Sequence, residues 1–302
     1  MDVSIVIVNY NTKDLLKQCI ESVFAKTQDL IYEIIVVDNA SSDGSQQMLK
    51  EVFPEVILVE SPENLGFGRA NNIGFDYAKG RNIFLLNSDT ILLNNAVKIL
   101  SDYLDDNPKT GICGGNLYDE KEQPLHSFRR SLPSLLFELS VLLGDILFKI
   151  IYGKNQEFNY TNKPLKVAYI TGADMMINAS VLSIAGKFDP DFFMYFEESE
   201  LSWRVKKAGF SIYSVPSARI IHLESKSFSD NYKKIKMQLN SRSLYYKKTH
   251  SWFSRKIINI IYFLTIHSKI ILFKISGNSR RLNYYKALRA LWGSSICYNP
   301  PV

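Results

Sequence analysis

Acidic residues are missing from about the last quarter of the chain. Between Asn231 and Val302 fall 14 of its 36 Lys/Arg and none of its 30 Asp/Glu residues. A segment without carboxylates of its own implies an anionic surface as partner. No RNA-binding motif accompanies the charge, which argues against nucleic acid and for a membrane. Cysteine is scarce: Cys19, Cys113 and Cys297 are an odd number with no metal-type spacing. That excludes a disulfide framework and a structural zinc site, and fits a reduced, cytoplasmic setting. A secretory leader is not expected either. Met1-Asp2 has no basic n-region, and the apolar run Val3–Val8 stops at Asn9-Tyr10-Asn11. The stretch LPSLLFELSVLLGDILFKIIYG is strongly apolar but is interrupted by Glu138, Gly144 and Asp145, so it reads as an amphipathic or buried helical insertion over about 131–153 rather than a membrane span. Internal repeats and low-complexity segments are absent.

What is present is an ordinary globular composition. The 302 residues are 46% hydrophobic and 22% charged, enough for a sizeable core in one large domain with an appendage. Strand and helix patterns alternate: VSIVIVNY, YEIIVVD, VILVE and NIFLLN read as strands. LLKQCIESVFAK, SSDGSQQMLKEVF, GRANNIGFDYAKG and NAVKILSDYLDD read as helices. In the first helix Leu16, Ile20 and Phe24 share a face. Near-continuous apolar strands between helices predict a mostly parallel α/β sheet buried on both faces, with ligands at the carboxyl ends of the strands. Beyond the insertion, VAYITGADMMIN, FSIYSVP and ARIIHLE read as further strands, and ESELSWRVKKAG as a helix closing at Gly209.

Four polar loops follow the first four strands: Asn9-Tyr10-Asn11, Asp38-Asn39 through Asp43, Glu63 through Gly68, and Asn87-Ser88-Asp89. Any one of them reads as a turn or an N-cap. Four at one edge read as a nucleotide site. Asp89, at the end of a buried strand, is aimed at that edge, where a hard cation such as Mg²⁺ or Mn²⁺ shares oxygen ligands with phosphates; equally, Asp89 or Thr90 starts the next helix. His222 is a structural histidine unless the fold brings it beside Asp89. In FFMYFEESELSWR, the carboxyls of Glu197, Glu198 and Glu200 press against aromatics, which raises a pKa towards the range of a general base. Acids there also suit a helix N-terminus.

In order and spacing, SIVIVNYN, IIVVDNASSDGS, ENLGFGRANNIG, IFLLNSDT, TGADMMINASVLSIAGKFDPDFFMYFEESELSWRVKKAG and IIHLESKS resemble the family 2 inverting glycosyltransferases of GT-A fold, most closely the rhamnosyltransferase-like members. The resemblance covers roughly Val3 to Ser227. It implies a three-layer α/β/α domain over 1–227 and leaves the tail unexplained; charge and composition read 228–302 as a basic, aromatic-rich helical extension. It also implies that Asn9, Tyr10, Asn11, Asp38 and Asn39 hold the base and ribose, and that Asn64, Gly66, Arg69 and Asn72 frame the nucleotide and diphosphate. Asn87, Ser88 and Asp89 stand at the Asp-X-Asp motif, with Asp89 as metal ligand and His222 as second ligand or diphosphate contact. Glu198 is the implied base, with Glu197 or Glu200 as stand-ins. Two positions depart from the family pattern: Asn87 replaces the first Asp, and Glu198 replaces the usual Asp and is one methylene longer.

The implied reaction moves a sugar from dTDP-rhamnose or a UDP-sugar to a hydroxyl of a glycan or lipid-linked acceptor, with a divalent ion. The competing reading is a catalytically weak sugar-nucleotide-binding or scaffolding protein. A sugar nucleotidylyltransferase would need a Gly-rich, Arg-bearing N-terminal loop, which VNYNTKDLL does not supply. In the tail, SWFSRKIINIIYFLTIHSKIILFKI interleaves apolar residues with Lys and Arg, the pattern of an interfacial helix on anionic lipid, with Ile257, Ile261 and Leu264 as its apolar stripe. The alternative is a packed helical domain with a solvated basic face. The expected location is cytoplasmic, on the inner face of the membrane; the oligomeric state is open, a homodimer included.

Overall fold

Residues 3–106 fold into the alternation that the apolar periodicity predicts, save for one short added strand. The computed structural model describes residues 1–223 and 231–295. In order come β1 (Val3–Asn9), α1 (Lys13–Lys26), β2 (Tyr32–Asp38), α2 (Ser45–Val52), β3 (Ile57–Glu60), α3 (Phe67–Tyr77), β4 (Asn82–Leu86), β5 (Thr90–Leu92), α4 (Ala96–Asp106) and β6 (Thr110–Tyr118). There follow β7 (Phe128–Arg129), α5 (Leu135–Leu142), α6 (Ile146–Tyr152), β8 (Leu165–Lys166), β9 (Tyr169–Ile170), β10 (Asp174–Asn178), α7 (Ala179–Ala185), α8 (Glu197–Lys207) and β11 (Ser211–His222). The tail forms α9 (Asn231–Thr249), α10 (Trp252–Ile275) and α11 (Ser279–Ser295). The expected boundary at 227/228, Cys297 and the end of IIHLESKS lie outside the described residues.

The main sheet has the order β3-β2-β1-β4-β10-β6-β11-β5, with β8 on β11. β1 is parallel to β2 and β4, β2 is parallel to β3, and β10 runs antiparallel between β4 and β6. Strand alternation sends each residue to one of two cores. Val3, Ile5, Ile7, Val36 and Phe84 pack against α1, α2 and α4, while Val6, Ile35, Val37 and Leu85 pack with α3, α7 and α8. Each such side chain contributes about 1.5–3 kcal/mol when fully buried.

Three segments differ from expectation. The two strands expected around Pro216 are one, β11, whose pairing with β6 shifts register between Ser214 and Arg219. The irregularity spares Pro216 a ladder position that its missing N–H could not fill. VAYITGADMMIN splits: β9 joins β7 in a small second sheet and β10 enters the main one. After Asp89 the chain makes a short strand before the helix, and β5 pairs Thr90 with His222.

The tail is packed on one side. Leu244, Tyr245, Tyr246 and Ile258 form a core with Phe192, tying α9 and α10 to the loop ahead of α8. Ile235, Leu239, Ile266, Leu288 and Leu291 join α9, α10 and α11. The expected stripe on α10 is corrected: Ile257 and Ile261 are half-buried, because the helix rests that side on its neighbours. The bare face instead carries Phe253, Ile260, Leu264, Ile271 and Ile275, at helical spacing. α5, which packs on α10, and α6 add Leu136, Leu139, Leu143, Ile146 and Ile150, the last 77% exposed.

Candidate active site

The carboxyl ends of β1, β2 and β4 are stitched into one polar net. Asn9 Nδ2 donates to Asp38 Oδ2 (2.8 Å) and Ser41 Oγ (3.0 Å). Asp38 Oδ1 accepts from Ser41 N (2.9 Å) and Gln46 Nε2 (2.7 Å), so a fully buried carboxylate meets donors on both oxygens. Thr12 Oγ1 donates to Asn9 Oδ1 (2.7 Å) and lies 2.8 Å from Ser88 Oγ. Tyr10 stands exposed above this net, and Asn11, at φ 53°, accepts from Ser42 N (2.8 Å).

Asn39 and Asn64 hold the third loop. Asn39 Nδ2 donates to Asn64 Oδ1 (3.0 Å) while its Oδ1 accepts from Leu65 N (2.9 Å). Asn64 Oδ1 also accepts from Gly66 N (3.0 Å). Gly66 has φ +81°, and a Cβ there would collide with the Phe193 carbonyl, so glycine is the residue this turn accepts. Arg69 and Asn72 point to the neighbouring 188–193 loop. Arg69 Nε donates to Pro190 O (2.6 Å). Asn72 donates to Phe188 O (2.8 Å) and accepts from Phe188 N (2.9 Å), and Phe67 N donates to Phe193 O (2.9 Å). α3 is thus sewn to the loop that leads into α8.

At the next strand end, the condition set for His222 is met. The β5–β11 pairing places His222 Nε2 3.3 Å from Asp89 Oδ1 and 3.4 Å from Asn87 Nδ2. The carboxylate oxygen suits Mg²⁺ or Mn²⁺, and the imidazole nitrogen beside it suits a transition-metal ion such as Mn²⁺ better than Mg²⁺. Among the described residues no group of three His, Cys, Asp or Glu could hold a metal.

Across the edge, the three glutamates separate by environment. Glu200 is committed to Arg204, whose Nε and Nη2 bond both of its oxygens at 2.7–3.0 Å, while Arg204 also grips the carbonyls of Ala185, Gly186 and Lys187. Glu197 is 2% exposed, and its Oε2 is buried with no partner. Burial, and then the neighbouring Glu198 charge, push its carboxyl well above the usual carboxylate range. Glu198 is only partly buried. Its Oε1 accepts from Gly172 N (3.2 Å), burial raises its pKa, and it lines a cavity of about 530 Å³ beside Thr171 and Tyr195. Of the three, Glu198 alone joins a raised pKa to access. Sequence reasoning passed over Thr12, Ser41, Gln46 and Gly172; each lies inside or beside a quoted motif, but nothing in residue type announces which neighbour it bonds.

The model of the family described as glycosyl transferase family 2 matches residues 4–183, more than half of the chain. The chain belongs to glycosyl transferase family 2. This glycosyltransferase is 25% identical over 240 residues to the N-acetylglucosaminyl-diphospho-decaprenol L-rhamnosyltransferase of Mycobacterium tuberculosis, covering 74% of this chain and 76% of that one. It is 28% identical over 233 residues to the rhamnosyltransferase WbbL of Escherichia coli K12, covering 73% and 83%. Among solved structures, it resembles the mannosyltransferase PcManGT of Pyrobaculum calidifontis in complex with GDP-Man and Mn²⁺ at TM-score 0.60 and 13% identity, covering 98% and 87%. It also resembles GalNAc-T7 with UDP, GalNAc and Mn²⁺ at TM-score 0.59 and 17% identity, covering 82% of this glycosyltransferase but about half (48%) of that chain. At such identities the two likenesses speak for the fold, which is the expected GT-A arrangement with C-terminal helices.

Proposed function

We propose that this chain is an inverting, divalent-cation-dependent transferase that moves a sugar from a nucleotide donor to a hydroxyl of a lipid-linked glycan. The observation that carries the reading is the pairing of Asp89 with His222 on one side of the site and, on the other, the accessible Glu198, whose pKa burial raises. The donor is dTDP-rhamnose or a UDP-sugar, and the acceptor a sugar-diphospho-prenol; the names of both relatives support a rhamnosyl donor, and that of the Mycobacterium tuberculosis relative supports the acceptor.

Asn9, Asp38 and Asn39 shape the rim for base and ribose, with the Tyr10 ring free to cover the base. Asn64 and Gly66 hold the loop beneath the diphosphate, and Arg69 and Asn72 brace it from behind. Asp89 and His222 hold the ion, which when bound supplies Lewis-acid neutralisation of the leaving diphosphate. The acceptor oxygen attacks the anomeric carbon from the face opposite the diphosphate. The bond from that carbon to the diphosphate oxygen breaks, the acceptor proton passes to Glu198, and the anomeric configuration inverts. The bare apolar faces of α5, α6 and α10, with the basic tail, support docking on an anionic membrane, where such acceptors reside.

The test is nucleoside diphosphate release from dTDP-rhamnose and UDP-sugars with Mn²⁺ or Mg²⁺ and a sugar-diphospho-prenol. Asp89→Ala and chelation by EDTA should each abolish release while the protein stays folded. Full turnover in either case overturns the metal assignment, and donor binding without release returns the chain to a sugar-nucleotide-binding role.

A further inference from the structure

The cavity at Glu198 is not built by the catalytic core alone. Its far wall comes from α5, α9, α10 and α11, and two ion-paired side chains, Glu138 and Arg242, stand in that wall. Both are buried, at 4% and 7% exposure. Arg242 Nε and Nη2 donate to Glu138 Oε1 at 3.1 and 2.9 Å, and Tyr246 Oη donates to the same oxygen at 2.8 Å. The Arg242 guanidinium lies 3.7 Å from the centre of the Tyr262 ring, which fixes its plane. None of these three hydrogen bonds uses Glu138 Oε2 or Arg242 Nη1.

A buried ion pair is a poor source of stability, since desolvation offsets most of its attraction. Placed in the wall of a cavity, it is a pre-oriented acceptor beside a pre-oriented donor. Such a pair matches two neighbouring hydroxyls of a sugar ring. Gln238, one helical turn before Arg242 on α9, adds an amide on the same wall. The cavity's volume of about 530 Å³ falls within the roughly 300–1,000 Å³ typical of small-molecule sites.

We propose that Glu138 and Arg242 read the hydroxyls of the acceptor sugar, holding it in this cavity with its attacking oxygen towards Glu198. This rests on the transferase reading above and names the part of the chain that selects the acceptor: a wall made jointly by the 131–153 insertion and the tail. α5 and α10 face this cavity with Glu138 and Tyr262 and turn Leu139 and Ile260 outward. A head group attached to a membrane-borne prenol would therefore reach the cavity across helices that themselves rest on the bilayer.

The experiment measures binding, so it does not depend on turnover. A farnesyl-diphospho-N-acetylglucosamine probe is titrated calorimetrically into the full chain with nucleoside diphosphate and Mn²⁺, with farnesyl diphosphate as the sugar-free control. In Glu138→Leu/Arg242→Leu, which leaves no unpaired buried charge, the sugar-bearing probe should bind about 10–100-fold more weakly, the range for losing hydrogen bonds to charged groups. The control and the nucleoside diphosphate should bind as in wild type. If the double variant melts early, Gln238→Ala, at a half-buried site, should still weaken the sugar-bearing probe several-fold and leave the control unchanged. Wild-type affinity for the sugar-bearing probe in the folded double variant or in Gln238→Ala overturns the proposal, as does a wild-type protein that binds both probes equally. Failure of wild type to bind nucleoside diphosphate would instead strike at the transferase reading.

Discussion

Glu197→Gln separates the two neighbouring glutamates by pH. Glu197 is enclosed, one of its oxygens has no partner, and its folded pKa is raised by burial and then by Glu198. Below the unfolded carboxyl value of about 4.3, both folded and unfolded states are protonated and the contribution to stability is fully present. As pH rises, the unfolded chain ionises freely while the folded one holds its proton, so stability is lost until the folded pKa is passed. Each unit of lift corresponds to about 1.4 kcal/mol, or roughly 2–3 °C in Tm for a chain of this size. Gln cannot ionise, so the variant escapes that loss. The amide also leaves a fixed packing offset, so the quantity to read is the slope. The Tm of Glu197→Gln minus that of wild type, followed by calorimetry from pH 4.5 to 8, should climb and then flatten. A difference that is constant or falls with pH refutes the reasoning. In turnover, Glu197→Gln should keep most of its activity, whereas Glu198→Gln should lose about 10²–10⁴-fold in kcat with donor binding unchanged. The reverse result moves the base to Glu197.

Gly66→Ala combines a positive φ with a collision at the Phe193 carbonyl, so it should cost more than about 2 kcal/mol and lower Tm clearly; an unchanged melt would show that the loop yields. Gly172→Ala would push against Glu198 Oε1 and the Phe67 ring. It should cut kcat by on the order of 10²-fold, the scale of a small misplacement of a reacting group, with nucleoside diphosphate affinity intact; wild-type kcat would mean that the Gly172 contact does not position the base. The protein should co-sediment with anionic vesicles at low salt and much less with neutral ones. Ile150→Glu on α6 and Ile275→Glu on α10 should each weaken that sedimentation about 10-fold or more, and variants that sediment like wild type would remove these helices from the interface.

The core was legible because burial on both faces of a sheet leaves short β-branched runs such as SIVIV and EIIVV that end in polar turns. The site edge was legible for the same reason: a polar cluster just past a buried strand has only one place to go. β6 was not legible. TGICGGNLY carries three glycines, which lower strand propensity, yet here they admit close neighbours: a Cβ on Gly114 would meet the Ile170 side chain, and one on Gly115 the Ala218 backbone. Nor could local pattern reveal the Glu138–Arg242 pair, because its members lie 104 positions apart on helices that meet only in the tertiary fold. On α10 the period was visible, but which side meets protein depends on partners that the helix's own sequence does not encode.

Four hydrogen bonds, from Phe67, from Arg69 and to and from Asn72, fasten α3 to the loop between Phe188 and Phe193. That loop therefore does not behave as a detachable part. Exchanging residues 186–196 alone would leave Asn72 facing a backbone with the wrong spacing and Gly66 facing a carbonyl that has moved. The smallest transplantable unit is the loop together with α3 and the Asn64–Gly66 turn, so any recombination that exchanges the lead into α8 carries the third polar loop with it.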